Sequence, residues 1–316
     1  MRPRHLFPVV LLLATSAVDA VAGLPTVRNY GQDEHFDPAE AVSGSSSTPE
    51  QCAQTHQALW VTVPGHADCL RYYFAGPLQD APKAEVFLDG DELMSLHNGQ
   101  VVAASDYGDA SPRILERWAT VWAERLQIPY VHLARPGTMG SSGNQNDRRQ
   151  QTETLEVDAA LDQLKALYRI GRFGLAGQSG GGGLVAALIA ERTDVLCAVS
   201  SSGVVAITAR NTIRHQHDVT GYTTFWDPID QVGRVHQAAD FRLFLVGDPE
   251  DANVPFQSLL QYAEAATQAG LHPVVIQGIG TGALHHGLAR TGVPLTADCL
   301  HGVPTDTLVA KYDQRR

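Results

Sequence analysis

The chain has 316 residues, 44% of them hydrophobic, enough to bury a large core in one or two domains. Its formal net charge of −11 at pH 7 argues against nucleic acid and anionic membrane surfaces as partners. The four cysteines include no Cys-x-x-Cys pair, so nothing indicates a cysteine zinc site.

The first 22 residues have the layout of an export signal. Arg2 and Arg4 open it, Leu6 to Val18 supply a short apolar core, and Ala20-Val21-Ala22 offers a small-residue cleavage site. The apolar run is short for a membrane span. The expectation is therefore a signal peptide over 1–22, a secreted or periplasmic protein, and no stable membrane insertion of the mature chain. A retained signal anchor is the alternative. Residues 23–54 are polar and broken, including Ser43-Gly44-Ser45-Ser46-Ser47, and read as an extended or mobile leader without a core of its own. The remainder, 55–316, reads as one domain.

From residue 58 strands and helices alternate. Ala58 to Val63 and Leu70 to Phe74 flank a Pro-Gly turn and predict a hairpin. Cys52 and Cys69 bracket its first half, and a disulfide closing that loop would contribute about 3 kcal/mol. Ala84 to Leu88 predicts a third strand ending at Asp89-Gly90-Asp91-Glu92. Ile114 to Leu126 and Glu153 to Tyr168 repeat apolar residues at helical spacing, with Tyr130 to Ala134 a strand between them. Further strands are expected at Phe173 to Ala176, Val195 to Ser200, Phe241 to Val246 and Pro273 to Ile276, and a last helix at Thr305 to Asp313. Cys197 in its apolar strand reads as packing, and it pairs with Cys299 only if the C-terminal segment folds back onto it. This alternation predicts an α/β fold with a mostly parallel eight-stranded sheet, helices on both faces and an antiparallel start. Ligands in such sheets bind beyond the carboxyl ends of the strands.

Three loops at that edge carry reactive side chains. Gly177-Gln178-Ser179-Gly180-Gly181 follows a strand and opens an apolar helix, the pattern of a nucleophile elbow that lifts the Ser179 hydroxyl clear of the backbone. A serine needs a base, and the base needs an orienting acid. Asp248-Pro249-Glu250-Asp251 follows the strand ending at Val246, and His285-His286-Gly287 follows the one ending at Ile276. The order serine, acid, histidine is the one expected on such a sheet.

With these residues the chain resembles the α/β-hydrolases, nearest the prolyl oligopeptidase and dienelactone hydrolase-like branch, over roughly 57 to 290. The resemblance implies the α/β-hydrolase fold with a small or absent lid. An acid just before x-x-Val-Pro matches Asp251 rather than Asp248, and a histidine before Gly and an aliphatic residue matches His286, with His285 as the alternative base. Two backbone donors are required for the oxyanion, each worth about 3 kcal/mol. The resemblance implies Gly180 and Asp91, although Asp89-Gly90 replaces the family's usual His-Gly.

Asp248 and Glu250 also read as ordinary turn residues. Arg148 and Arg149 read as anchors for the glycine-rich loop after Ala134, and His215 and His217 as exposed side chains without further ligands at useful spacing. The expected activity is a serine hydrolase cleaving a carboxylic ester or amide of a small-molecule or peptide substrate, with no metal or organic cofactor. The alternatives are a peptidase of the prolyl oligopeptidase type and a non-catalytic ligand- or nucleotide-binding α/β protein. The last is weakened because no Lys-Ser/Thr follows the glycines.

Overall fold

The structure, a computed structural model, describes residues 23–96 and 98–315. The export signal expected over 1–22 lies outside the described residues. Strands β1 (Ala58–Val63) and β2 (His66–Ala75) form the expected hairpin, with Ala58 opposite Arg71 and Val63 opposite His66. They are followed by β3 (Lys83–Leu88), a small separate ribbon of β4 (Leu93–Ser95) and β5 (Val101–Ala103), and then β6 (Tyr130–Leu133). The remaining strands are β7 (Arg172–Gln178), β8 (Val195–Ser201), β9 (Arg242–Gly247) and β10 (Val274–Gln277). The eight-stranded sheet runs β1-β2-β6-β3-β7-β8-β9-β10. The β1–β2 and β2–β6 pairs are antiparallel and all others are parallel.

The central strands are buried on both faces, which is why they read as continuous apolar runs: every residue of β8 is buried. Ten helices complete the described part. They are α1 (Pro38–Ser43), α2 (Pro49–Gln54), α3 (Pro112–Leu126), α4 (Gln151–Tyr168), α5 (Gly180–Leu188), α6 (Ile207–Ile213), α7 (Pro228–Gln231), α8 (Phe256–Gln268), α9 (Ala289–Leu300) and α10 (Thr305–Tyr312). One core cluster joins residues of α4, α5 and α8 to the sheet, and a second joins α3, α9 and α10 to it. Among the described residues no helix is long and apolar enough to cross a membrane.

Two expectations need correction. Residues 23–54 are not a coreless leader. Asp37 caps α1 and Thr48 with Gln51 forms a capping box on α2. Tyr30, Phe36 and Ala41 are buried against Tyr73, Tyr107 and Met139. Two aromatic residues in a polar stretch suffice to hold it down once a neighbouring surface accepts them. Cys52 and Cys69 form the expected disulfide beside it. Cys197 is not mere packing: α9 folds back across the sheet and brings Cys299 into a disulfide with it. The segment between β8 and β9 carries only α6, α7 and one 3-10 turn, so no lid domain is inserted there.

Candidate active site

The chain turns sharply where β7 ends. Ser179 has φ 55 and ψ −117, a conformation that a side-chain-bearing residue adopts at a cost, and α5 starts at the next residue. Glycines allow the turn to pack: a Cβ on Gly181 would stand 2.2 Å from the Leu88 carbonyl oxygen, and one on Gly177 would stand 2.3 Å from that of Gly181. Ser179 itself is buried.

The loop after β3 lies over this elbow. A Cβ on Gly90 would come within 3.3 Å of the Ser179 Cβ, and one on Gly180 within 2.0 Å of Asp91 Oδ1. Asp91 is thus packed against Gly180, and its carboxylate is buried among three guanidinium groups. Its oxygens lie 3.0 Å from Arg135, 3.2 Å from Arg148 and 2.6 Å from Arg149. Burial alone would raise this carboxyl, but the three arginines outweigh it and hold the group far below the usual carboxylate range. Arg135 also donates to the carbonyls of Asp89 and Gly90 and to Glu153. Arg148 and Arg149 do form salt bridges, but to Asp91 in the loop after β3 and, for Arg149, to Asp218, rather than to the glycine-rich loop after Ala134.

At the ends of β9 and β10 the acid and histidine meet. His286 Nδ1 lies 2.8 Å from Asp251 Oδ2, while Asp251 Oδ1 accepts the backbone N–H groups of Asn253 and Val254. These bonds fix the carboxylate against rotation. The far imidazole nitrogen, His286 Nε2, is buried without a hydrogen-bond partner within the protein. His285 turns the other way, its Nδ1 3.4 Å from Asp248 Oδ2. Asp248 accepts the N–H groups of Glu250 and Gly280 and so ties the two loops together, a turn role. Ser141 and Ser142 are buried and hold β2 by accepting the N–H groups of Arg71 and Cys69. His215 and His217 are exposed.

Sequence reasoning missed two positioning groups. Gln178, the variable residue before Ser179, donates to the His286 carbonyl at 2.8 Å and accepts the Leu288 N–H at 2.9 Å. It thereby ties the elbow to the histidine loop. Arg210 on α6 donates to the Asn253 carbonyl and side chain, clamping the acid loop. Burial, with Arg149 and Arg214 nearby, brings its guanidinium down to about 10. Asp227 in Trp226-Asp227-Pro228 accepts the N–H groups of Ile207 and Thr208 and so caps α6. The only hint of these contacts in the sequence was the side chains' hydrogen-bonding capacity.

Sheet order, flanking helices and the elbow together make this an α/β-hydrolase fold. Solved structures bear out the fold. Est1E from Butyrivibrio proteoclasticus, determined with ferulic acid bound, is 13% identical with a TM-score of 0.52, covering 78% of this chain and 98% of that one. The Pf2001 esterase of Pyrococcus furiosus is 14% identical with a TM-score of 0.50, covering 77% of this chain and 90% of that one. The acylaminoacyl peptidase of Pyrococcus horikoshii is 14% identical with a TM-score of 0.50, covering 82% of this chain but 42% of that longer one. No protein-family model matches the sequence, and no curated protein sequence matches it significantly.

Proposed function

We propose that the protein is an exported serine hydrolase that cleaves a carboxylic ester through an acyl-enzyme on Ser179. The observation that carries this reading is the 2.8 Å His286–Asp251 pair, joined through Gln178 to a strained serine at the end of β7. In this mechanism Asp251 holds the Nδ1–H, leaving Nε2 to take the Ser179 proton as Oγ attacks the acyl carbonyl. The proton is then returned to the leaving alcohol, and water repeats the sequence to release the acid. Backbone N–H groups of Gly180 and Asp91 receive the developing oxyanion; the arginine cage around Asp91 keeps that loop from shifting. The esterase and peptidase among the similar folds support hydrolysis of an acyl bond, and we favour the ester. Export is supported by the charged, apolar and small-residue pattern of residues 1–22 and by two disulfides.

Labelling with a fluorophosphonate probe tests the proposal. The wild type is expected to label, Ser179→Ala to be inert, and His286→Ala to label far more slowly. An unlabelled wild type that hydrolyses no short- or long-chain acyl ester would overturn it.

A further inference from the structure

On the edge of the molecule away from the β9 and β10 loops, a cavity of about 90 Å³ opens between β2, α4 and the segment following β6. His66 and Asp68 both face it, as residues two apart on a strand must. Glu156 on α4 lines it from the other side. Asp68 is 8% and Glu156 3% exposed, so two carboxylates are buried together. Asp68 Oδ1 accepts a 2.6 Å bond from Ser142. The Asp68 and Glu156 carboxyl groups lie within hydrogen-bond reach of each other, and Glu156 Oε1, which receives no further protein donor, faces the partly exposed His66, whose Nδ1 is 4.0 Å away. One ligand atom from each of the three residues lies within 4.8 Å of the others.

We propose that His66, Asp68 and Glu156 bind a Zn²⁺ ion. Two buried carboxylates without a cationic partner other than an imidazole form a poor arrangement for the protein alone and a good one for a divalent cation. The imidazole selects the metal. Calcium and magnesium prefer all-oxygen sites, whereas zinc accepts nitrogen and carboxylate oxygen together. Donors about 2.1 Å from one ion in a tetrahedron stand about 3.4 Å apart, so loading draws the His66–Glu156 pair in. Ser142 orients Asp68 from behind and accepts the N–H of Cys69. The ion therefore clasps the edge hairpin to α4 and to the segment that also pairs with Ser45. With three protein donors its fourth position falls to water, and the site is independent of the hydrolase reading.

The test uses the full mature chain without an affinity tag, stripped with a chelator and freed of it. After incubation with Zn²⁺ and gel filtration, elemental analysis is expected to find one ion per chain, with the melting temperature raised. Calcium and magnesium at the same concentration are expected to leave it unmoved. Glu156→Gln, which keeps the shape and removes the charge, and His66→Ala, at a partly exposed position, each lose the retained ion. Ser142→Ala binds about 10-fold more weakly. If the stripped wild type retains no zinc and its melting temperature does not respond, the two carboxylates share a proton instead and the proposal is wrong. Retention unchanged in both His66→Ala and Glu156→Gln would overturn it equally, by placing the ion elsewhere.

Discussion

His286 lies 2.8 Å from Asp251 through Nδ1, while its sequence neighbour His285 is held at φ 53 and faces Asp248 at 3.4 Å. Adjacent histidines thus meet different acids, each acid held by two backbone N–H groups, and only His286 sits within hydrogen-bond distance of its own. Asp251→Asn is expected to lower kcat for an ester substrate by about 10⁴-fold, because the asparagine stabilises the wrong tautomer. His286→Ala should fall at least as far, and His285→Ala should stay within a few-fold of wild type. Steady-state kinetics on the three variants decides it, and a large loss in His285→Ala alone would move the base by one residue.

Gln178 provides a finer test. Its two hydrogen bonds to the histidine loop are lost in Gln178→Ala, while no group that touches substrate is removed. A shift of about 1 Å in the imidazole is enough for a drop of about 100-fold in kcat. Thermal melting should move little, since the residue sits at a strand end. An unchanged kcat would show that the loop is held by other contacts.

Asp91 is the carboxylate shared by three guanidinium groups, and Asp91→Asn removes the charge that lies between them. The expected cost is about 3–5 kcal/mol in urea unfolding near neutral pH. The depressed carboxyl fixes the sign of the pH dependence. Its stabilisation is fully present above the ordinary aspartate value, about 3.9, and drains away as pH falls below that toward the folded-state value. The gap between wild type and Asp91→Asn should therefore be constant from pH 5 upward and narrow only in strong acid.

Glu85 behaves oppositely. It lies fully buried in β3, and neither carboxylate oxygen has a hydrogen-bond partner. Burial, with Asp298 nearby, raises its carboxyl well above the usual range. Its neutral form fits the fold, so stability is greatest below about pH 4.3 and declines as pH rises toward the raised value. Glu85→Met removes both the charge and the unpaired oxygens. We expect it to stabilise the protein by about 1–3 kcal/mol at pH 8 and by less at pH 4.5, read by chemical denaturation at the two values.

The sheet was legible because its central strands are buried on both faces and stand out as apolar runs between glycine-rich turns. The sharp turn at Ser179 and the meeting of Asp251 with His286 were legible because chain order and sheet topology constrain where such side chains fall. The packing of Tyr30 and Phe36 was not, since nothing local in a polar segment announces the surface that receives it. Helix α9 was hidden by Gly292 and Pro294, both breakers by local preference; Gly292 is there because Ser201 Oγ would stand 2.0 Å from a Cβ at that position. Gln178 was invisible for a different reason. It occupies the variable slot of its motif, and its value lies in a loop more than 100 residues away.

The Cys197–Cys299 disulfide spans 102 residues, and Asp251 and His286 both lie inside that covalent ring while Ser179 lies outside it. Synthesis therefore delivers β7 and Ser179 first and leaves Asp251 and His286 on an open tether until Cys299 has emerged and can pair with Cys197. Closing a ring of that size withdraws about 4.7 kcal/mol of chain entropy from the unfolded state. Oxidation of this pair thus does more than toughen the molecule: it encloses the loops that carry Asp251 and His286 in one covalent ring.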